Sequence, residues 1–425
     1  MARDDKLFLG VDVGTSGVRG IAIDAAGGVV AHASAGLPAP LSVEGGLRQD
    51  PELWWRATAK VVGEIAGAVP GHCLAAIAID GTSGTLLLTD AQGTPLEPAS
   101  MYNDASAAGL AGRIAATAPP ESGAHGATSP LARLLAAQAR QPAACHALHQ
   151  ADWLAARLSG RLGLSDDNNA LKLGFDPVTR TWPGWLDGLG ARRALLPDVI
   201  PPGTAIGPMT PQTAAGLGLA PGCAVVAGTT DGCASFLATG AAQPGDGVTA
   251  LGTTLTIKLL SDRPVFSPRH GVYSHRMGDR WLVGGASNSG GKALLRWLTP
   301  ARMAELEPLL RPDRPTGFHW HPLPEPGERF PVADPALEFD PRPVPQDEVV
   351  LFQALLEGIA EVEQRAYRLL AELGAPSLRS VRTVGGGAAN AAWTAIRARL
   401  LDVPLLPPVH LEASYGTALL ARGDP

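Results

Sequence analysis

Read for apolar and polar positions, the chain opens with an apolar run, Leu7–Val13, broken only by Asp12 and closed by Gly14-Thr15-Ser16-Gly17. That is the pattern of a buried strand ending in a tight turn. Residues 18–24 alternate and read as a returning strand, with Ala25-Ala26-Gly27-Gly28 as the hairpin turn to a third. Asp50-Pro51-Glu52 predicts the start of a helix running to Val69. Proline at the first helical position costs no hydrogen bond there, and glutamate suits the helix's positive end. Leu74–Asp80 reads as another buried strand that closes on a carboxylate, followed by Gly81-Thr82-Ser83-Gly84.

The second half repeats this logic. Residues 223–232 predict an apolar strand running into a turn that carries Asp231, and 247–260 predict a strand, a Gly252-Thr253-Thr254 turn and a strand. Residues 349–373 have helical period, with Leu351, Leu355, Ile359, Val362, Leu369 and Leu370 as the apolar stripe. Residues 380–390 read as a strand, a glycine turn and a helix start. The Pro- and Gly-studded stretch 205–222 is the expected domain boundary and a candidate hinge. Eleven prolines between Pro308 and Pro345 predict a surface excursion within the second domain. A strand–turn–strand theme once per half suggests two related α/β domains facing each other across a cleft.

Composition narrows the function. At 425 residues and 45% hydrophobic, the chain has material for two cores. Its net charge of −6 leaves no basic surplus to hold a phosphate backbone, which argues against nucleic acid as the main partner. The N-terminal residues show no signal peptide pattern, and no long apolar stretch suggests a membrane span. Cys73, Cys145, Cys223 and Cys233 form no CxxC pair and read as reduced, buried thiols of a cytoplasmic protein. No histidine spacing suggests zinc, so the histidines read as structural.

The glycine turns carry the chemistry. Such a turn after a buried strand presents several backbone N–H groups to one point, a concavity suited to phosphate. Gly14-Thr15-Ser16-Gly17 adds two hydroxyls and Gly252-Thr253-Thr254 two more, so paired turns would clamp a polyphosphate; a plain hairpin turn explains either one alone. GxxxxGK[ST] is absent, since Gly291 stands where the lysine belongs after Gly285–Gly290, and no GxGxxG follows Asp12. Gly385-Gly386-Gly387 would let a base or ribose approach the backbone closely, or is a set of packing glycines. A lone carboxylate ending a buried strand must be paired, hydrogen-bonded or working. That marks Asp12 and Asp231 as functional candidates and leaves Asp80 between a sugar contact and a turn cap. Lys292 reads as a solvent-facing helix start and Trp297 as core or adenine neighbour.

Taken together these residues resemble the FGGY carbohydrate kinases, a family with a two-domain, actin-like (ribonuclease H-like) fold, over nearly the whole chain. GVDVGTSGVRGIAID resembles the family's first phosphate segment and residues 151–182 its central segment. AGTTDGCASFLATGA with ALGTTLTIK resembles the catalytic-aspartate and second phosphate segments. PEPGERFPVADP resembles the GER-x-P loop, and residues 383–421 the adenosine segment with its closing helix. The resemblance implies a sugar-binding domain over 1–215 and a nucleotide-binding domain over 216–425. It implies Asp231 as catalytic base and Asp12 as the carboxylate near magnesium. Thr15 and Ser16 would contact the transferred phosphoryl group, Gly252, Thr253 and Thr254 the nucleotide phosphates, and Gly386 and Asn390 the adenosine. The sugar would sit against Asp12, Thr82, Ser83 and Asp231. ATP and Mg²⁺ are the implied donor and cofactor.

Within the family, xylulose kinases tend to carry Gln-Met-His-Gly after the third strand and glycerol kinases an Arg-Glu pair. Asp80-Gly81-Thr82-Ser83-Gly84-Thr85 is similar instead to the short ribulose kinases of cyanobacteria and plants. The leading expectation is phosphorylation of D-ribulose at its terminal hydroxyl, with D-xylulose or another polyol as the alternative. A non-catalytic nucleotide-dependent regulator, or an ATP hydrolase, on the same fold is the reading of another class. Asn103-Asp104 could touch the sugar, but Ala105-Ser106 follow where relatives commonly place an arginine.

Overall fold

The computed structural model describes residues 6–69 and 74–424. Cys73 and the first five residues lie outside them. Contacts divide the chain into two units. The first is Met1–Ala238 with His275–Gly278 and His410–Pro425, and the second is Thr239–Ser274 with Asp279–Val409.

In the first unit β1 (Leu7–Val13) pairs antiparallel with β2 (Gly17–Ile23), which pairs antiparallel with β3 (Val29–Gly36). Helix α1 (Pro51–Ala68) follows, and the Asp50 carboxylate accepts from the Glu52 N–H at 3.0 Å, as its cap signature predicts. Strand β4 (Leu74–Gly81) then lies parallel to β1. Helix α2 (Gln150–Ser159) leads on to β5 (Ala205–Pro208) and β6 (Ala224–Val226), and the sheet order is β5-β6-β4-β1-β2-β3. Helix α3 (Asp231–Ala238) closes this stretch, and the C-terminal helix, Ala413–Arg422, returns to the same unit.

The pleat sorts the strands' side chains. Leu9, Val11, Val13, Ile77 and Ile79 share a core with Trp54, Val61 and Ile65 of α1. Each such buried side chain contributes roughly 1.5–3 kcal/mol. The opposite parity faces the C-terminal helix: Phe8 packs with Tyr415 and Ala418, and Ala76 and Ala78 with Leu420 and Ala421. A Cβ at Gly10 would collide with the Ser414 carbonyl and the Ala418 N–H, so only glycine admits this helix. Asp12 and Asp80 share the parity of Gly10 and Ala78, and this keeps both carboxylates out of the α1 core.

The expected boundary at 205–222 moves. β6 pairs parallel with β4 and β5 antiparallel with β6, so both strands belong to the first sheet and the units divide after Ala238. The candidate hinge there is thus flanked by paired strands of one sheet. Asp231, read as part of the second half, belongs to the first unit.

The second unit holds β7 (Asp246–Leu251), β8 (Leu255–Ser261) and β9 (Arg280–Ser287), then α4 (Glu348–Glu372), β10 (Ser380–Val384), α5 (Ala391–Leu401) and β11 (Leu405–Leu406). These strands lie in the order β9-β8-β7-β10-β11, with β7 and β10 parallel. Their core includes Leu255, Ile257, Val283, Leu355, Ile359, Val362 and Ile396. The proline-rich stretch belongs to this unit, but it is not confined to the surface. Leu310, Trp320, Leu323 and Phe330 are buried, because the apolar residues between the prolines cover the sheet and α4.

Candidate active site

Three carboxylates of the first unit gather at strand ends. Asp12 and Asp80 are register partners at the C-terminal ends of parallel β1 and β4, and Gly81 forms a parallel bridge with Thr230, the residue before Asp231. Asp80 is wholly buried and Asp12 nearly so. Burial raises the pKa of Asp12, while a hydrogen bond from Asp80 and the positive Arg19 pull it back down. Burial, and then the charge of Asp12, raises Asp80 well above the usual carboxylate range, and Asp231 adds to that push. Of the two, Asp80 is pushed up the further. Thr417 of the C-terminal helix donates its hydroxyl to Asp80 Oδ2, and Arg19 Nη1 stands 3.3 Å from Asp12 Oδ2. Asp80 is thus a buried partner of Asp12 and Thr417.

Asp231 opens α3, half-buried, and its Oδ1 accepts from the Gly232 N–H at 2.6 Å. Thr15 is half-buried and Ser16 exposed in the turn between β1 and β2, where the Gly14 N–H donates to the Gly17 carbonyl at 3.0 Å. Thr82 is buried, with its N–H and hydroxyl both donating to Gln150 Oε1 at 3.0 Å, and Ser83 follows half-buried.

The nucleotide candidates gather in the second unit. The Gly252–Thr254 turn follows β7, with Gly252 and Thr253 exposed and Thr254 half-buried. A neighbouring loop fixes it: the Gly291 N–H donates to the Gly252 carbonyl at 2.9 Å, and the Lys292 N–H to the Thr253 carbonyl at 3.1 Å. That loop is held in turn by Glu328 of the GER-x-P segment, which accepts from the Ser287 hydroxyl at 2.5 Å and the Asn288 N–H at 2.7 Å. Because Ala250 of β7 is in register with Val384 of β10, the turn at Gly385–Gly387 emerges at the same end of the sheet. Gly386 is exposed, and Asn390 caps α5, its Oδ1 accepting from the Trp393 N–H at 2.6 Å. Lys292 pairs with Glu325 at 2.8 Å, and Trp297 packs edge-on to Phe339. Asp104 is engaged by Arg48 and by the Ser100 hydroxyl at 2.8 Å.

Three residues of this arrangement were not singled out from sequence: Arg19, Thr417 and Gln150. Arg19 left a signal, a charge inside an otherwise apolar strand. A threonine in an amphipathic helix and a glutamine at a helix start leave none.

Two domains of one enzyme class match along the chain. The N-terminal domain of the FGGY family of carbohydrate kinases matches residues 7–123 and its C-terminal domain residues 247–422. The chain belongs to the FGGY family of carbohydrate kinases, phosphotransferases that act on a sugar hydroxyl. It is 28% identical over 450 residues to a xylulose kinase of Streptomyces coelicolor, covering 99% of this chain and 89% of that one. It is 26% identical over 456 residues to an autoinducer-2 kinase of Yersinia pestis, covering 98% and 85%. The fold matches the crystal structure of a xylulose kinase from Rhodospirillum rubrum with a TM-score of 0.86 at 24% identity, covering 98% and 89%. A gluconate kinase from Lactobacillus acidophilus matches with 0.85 at 21% identity, covering 98% and 89%. The backbone is therefore that of two actin-like domains, and it does not by itself select the sugar. Among the described residues no helix is long and apolar enough to cross a membrane.

Proposed function

We propose that this chain transfers the terminal phosphoryl group of ATP to the terminal hydroxyl of a ketopentose, D-ribulose first, giving D-ribulose 5-phosphate. The observation that carries the reading is the bridge between Gly81 and Thr230, which sets Asp231 beside a turn whose side chains, Thr82, Ser83 and Thr85, are small hydroxyls. Hydroxyls both donate and accept, and their size leaves room for an open-chain sugar. Asp231 takes the proton of the attacking hydroxyl as the new O–P bond forms, a role worth roughly 10²–10⁴ in rate. Phosphoryl transfer otherwise needs in-line positioning and charge neutralisation. Thr15 and Ser16 would steady the transferred group, Gly252, Thr253 and Thr254 the remaining phosphates, and Gly386 and Asn390 the adenosine.

Magnesium takes hard oxygen ligands, keeps several waters, and needs only one or two carboxylates. Asp12 fits: it is a hard-oxygen carboxylate at a strand end beside the Thr15 and Ser16 turn, and the positive Arg19 favours its charged form. No group of three or more His, Cys, Asp or Glu among the described residues could hold a metal alone. Asp12 would therefore share the ion with the nucleotide, and bound magnesium would neutralise phosphate charge. Dependence on ATP implies a cytoplasmic enzyme.

D-Xylulose is the second reading, favoured by relatives described as xylulose kinases. The two sugars differ only in configuration at one carbon. A coupled assay of ADP release with ATP and Mg²⁺ over D-ribulose, D-xylulose, other ketoses and glycerol separates them. The first reading requires the highest kcat/KM with D-ribulose; xylulose well ahead of ribulose overturns it in favour of the second.

A further inference from the structure

Gln150 begins α2, and its side chain is fully buried. Its Oε1 accepts twice from Thr82, from the backbone N–H and from the hydroxyl, each at 3.0 Å. A backbone N–H can only donate, so the carboxamide is locked with its oxygen toward Thr82 and cannot be turned over. The Thr82 hydroxyl lies 2.6 Å from that of Thr85, which accepts from the Tyr102 N–H at 3.1 Å. Because the Thr82 proton is committed to Gln150, Thr85 supplies the proton between the two hydroxyls. The chain of donors runs one way, from Tyr102 through Thr85 and Thr82 to Gln150. Gly81 permits the approach: a Cβ there would lie 3.0 Å from Gln150 Oε1.

What this chain leaves over is the amide's other end. Among the described residues Gln150 Nε2 is buried with no protein partner, and so is Ser83 Oγ in the turn that carries Thr82. Each such group costs roughly 1–3 kcal/mol if nothing meets it. One of them lies on the turn and the other on the side chain that braces Thr82 of that turn, next to the bridge that leads into Asp231, and together they call for a ligand rich in hydroxyls.

We infer that Gln150 reads the sugar: its Nε2 donates to one hydroxyl oxygen of the bound polyhydroxy ketone, with Ser83 on the same turn. The assignment rests on the ketopentose-kinase reading above. Gln150 thus does two jobs, bracing Thr82 with its oxygen and selecting substrate with its nitrogen.

The test is a double-mutant cycle between Gln150→Met and ketopentoses lacking one hydroxyl at a time, with the full sugar as reference. With the wild-type enzyme, loss of the hydroxyl that Gln150 reads should lower kcat/KM roughly 10–100-fold. Gln150→Met should lower kcat/KM for the full sugar by at least that factor, and on that one analogue its cost should be smaller by the same factor, leaving only the loss of the Thr82 brace. The other analogues should lose the factor in full, and KM for ATP should stay within twofold. If Gln150→Met costs the same on every analogue, the residue only braces Thr82 or holds a water, and the inference falls. Should the Met variant not fold, Gln150→Glu keeps the accepting oxygen and the shape while removing the donor, and the same comparison decides. A wild-type enzyme inactive on every ketopentose would overturn the kinase reading and this inference together; activity with wholly additive losses overturns the inference alone.

Discussion

Thr417 donates its hydroxyl to the carboxyl of Asp80 across 337 residues of sequence, and both side chains are fully buried. The contact ties the last helix of the chain to the strand end that backs Asp12. Thr417→Val keeps the shape and removes this donor to Asp80 Oδ2, leaving a buried acceptor unmet at a cost of roughly 1–3 kcal/mol. The urea midpoint should fall at unchanged slope, and Thr417→Ser should restore most of it. A valine variant as stable as wild type would show that the bond carries no net stability.

Asp231→Asn tests the proposed base. Asparagine keeps an oxygen that can accept from the Gly232 N–H, so the start of α3 and the fold should survive. It cannot take up the hydroxyl proton. The expected fall in kcat is roughly 10²–10⁴-fold with ATP binding retained, read from steady-state rates beside a binding titration. A loss smaller than tenfold would place proton transfer elsewhere.

The elements were largely legible in the sequence because strand ends, caps and glycine turns are local signals. Asp50 caps α1 and Asn390 caps α5 through their own side chains, and each strand that closes on a carboxylate does so where its pattern ends. The partners of those carboxylates were not legible, because a sheet brings together residues that the sequence separates. Nothing near Asp80 announces Thr417, and nothing near Thr82 announces Gln150. The boundary misled for a related reason. Pro- and Gly-rich chain between β5 and β6 looks like a linker, and only the pairing of β6 with β4 shows that both strands belong to the first sheet.

Arg397 and Glu363 form a fully buried ion pair beneath the Gly252 and Gly385 turns. The Arg397 Nε donates to Glu363 Oε2 at 2.6 Å and Nη2 to Oε1 at 2.8 Å, while Nη1 donates to the Thr383 hydroxyl at 2.8 Å. Thr249, in register with Thr383 on the neighbouring strand, donates to Glu363 Oε1 at 2.5 Å. The pair thus anchors α4 and α5 to the two strands that lead into the Gly252 and Gly385 turns. Arg397→Met strands a buried carboxylate and should destabilise by roughly 3–5 kcal/mol, whereas Arg397→Met with Glu363→Leu should recover much of that loss. Thermal unfolding of the three variants is the measurement. A double variant worse than the single would mean that the ions themselves are required.

Asp166 sets a pH dependence whose sign can be worked out. It caps the short helix Asp167–Ala170, accepting from the N–H groups of Asn168 and Asn169 at 2.9 and 3.3 Å and from the Asn169 side chain at 2.6 Å. Burial, and then the charge of Asp152, raises its pKa to about 7 despite those three donors. In the unfolded chain it titrates near the ordinary carboxylate value of about 4. Between those two values the folded protein holds a proton that the unfolded chain has released, so stability falls as pH rises through the window and levels off above it. The full shift is of order 4 kcal/mol. Asp166→Asn removes this titration and forfeits the acceptor for the Asn169 side chain. The variant should therefore be the less stable protein near pH 5, and the gap should close or reverse by pH 8. Denaturant midpoints taken from pH 4 to 8 decide it: parallel curves for the two proteins would mean that Asp166 is ionised throughout.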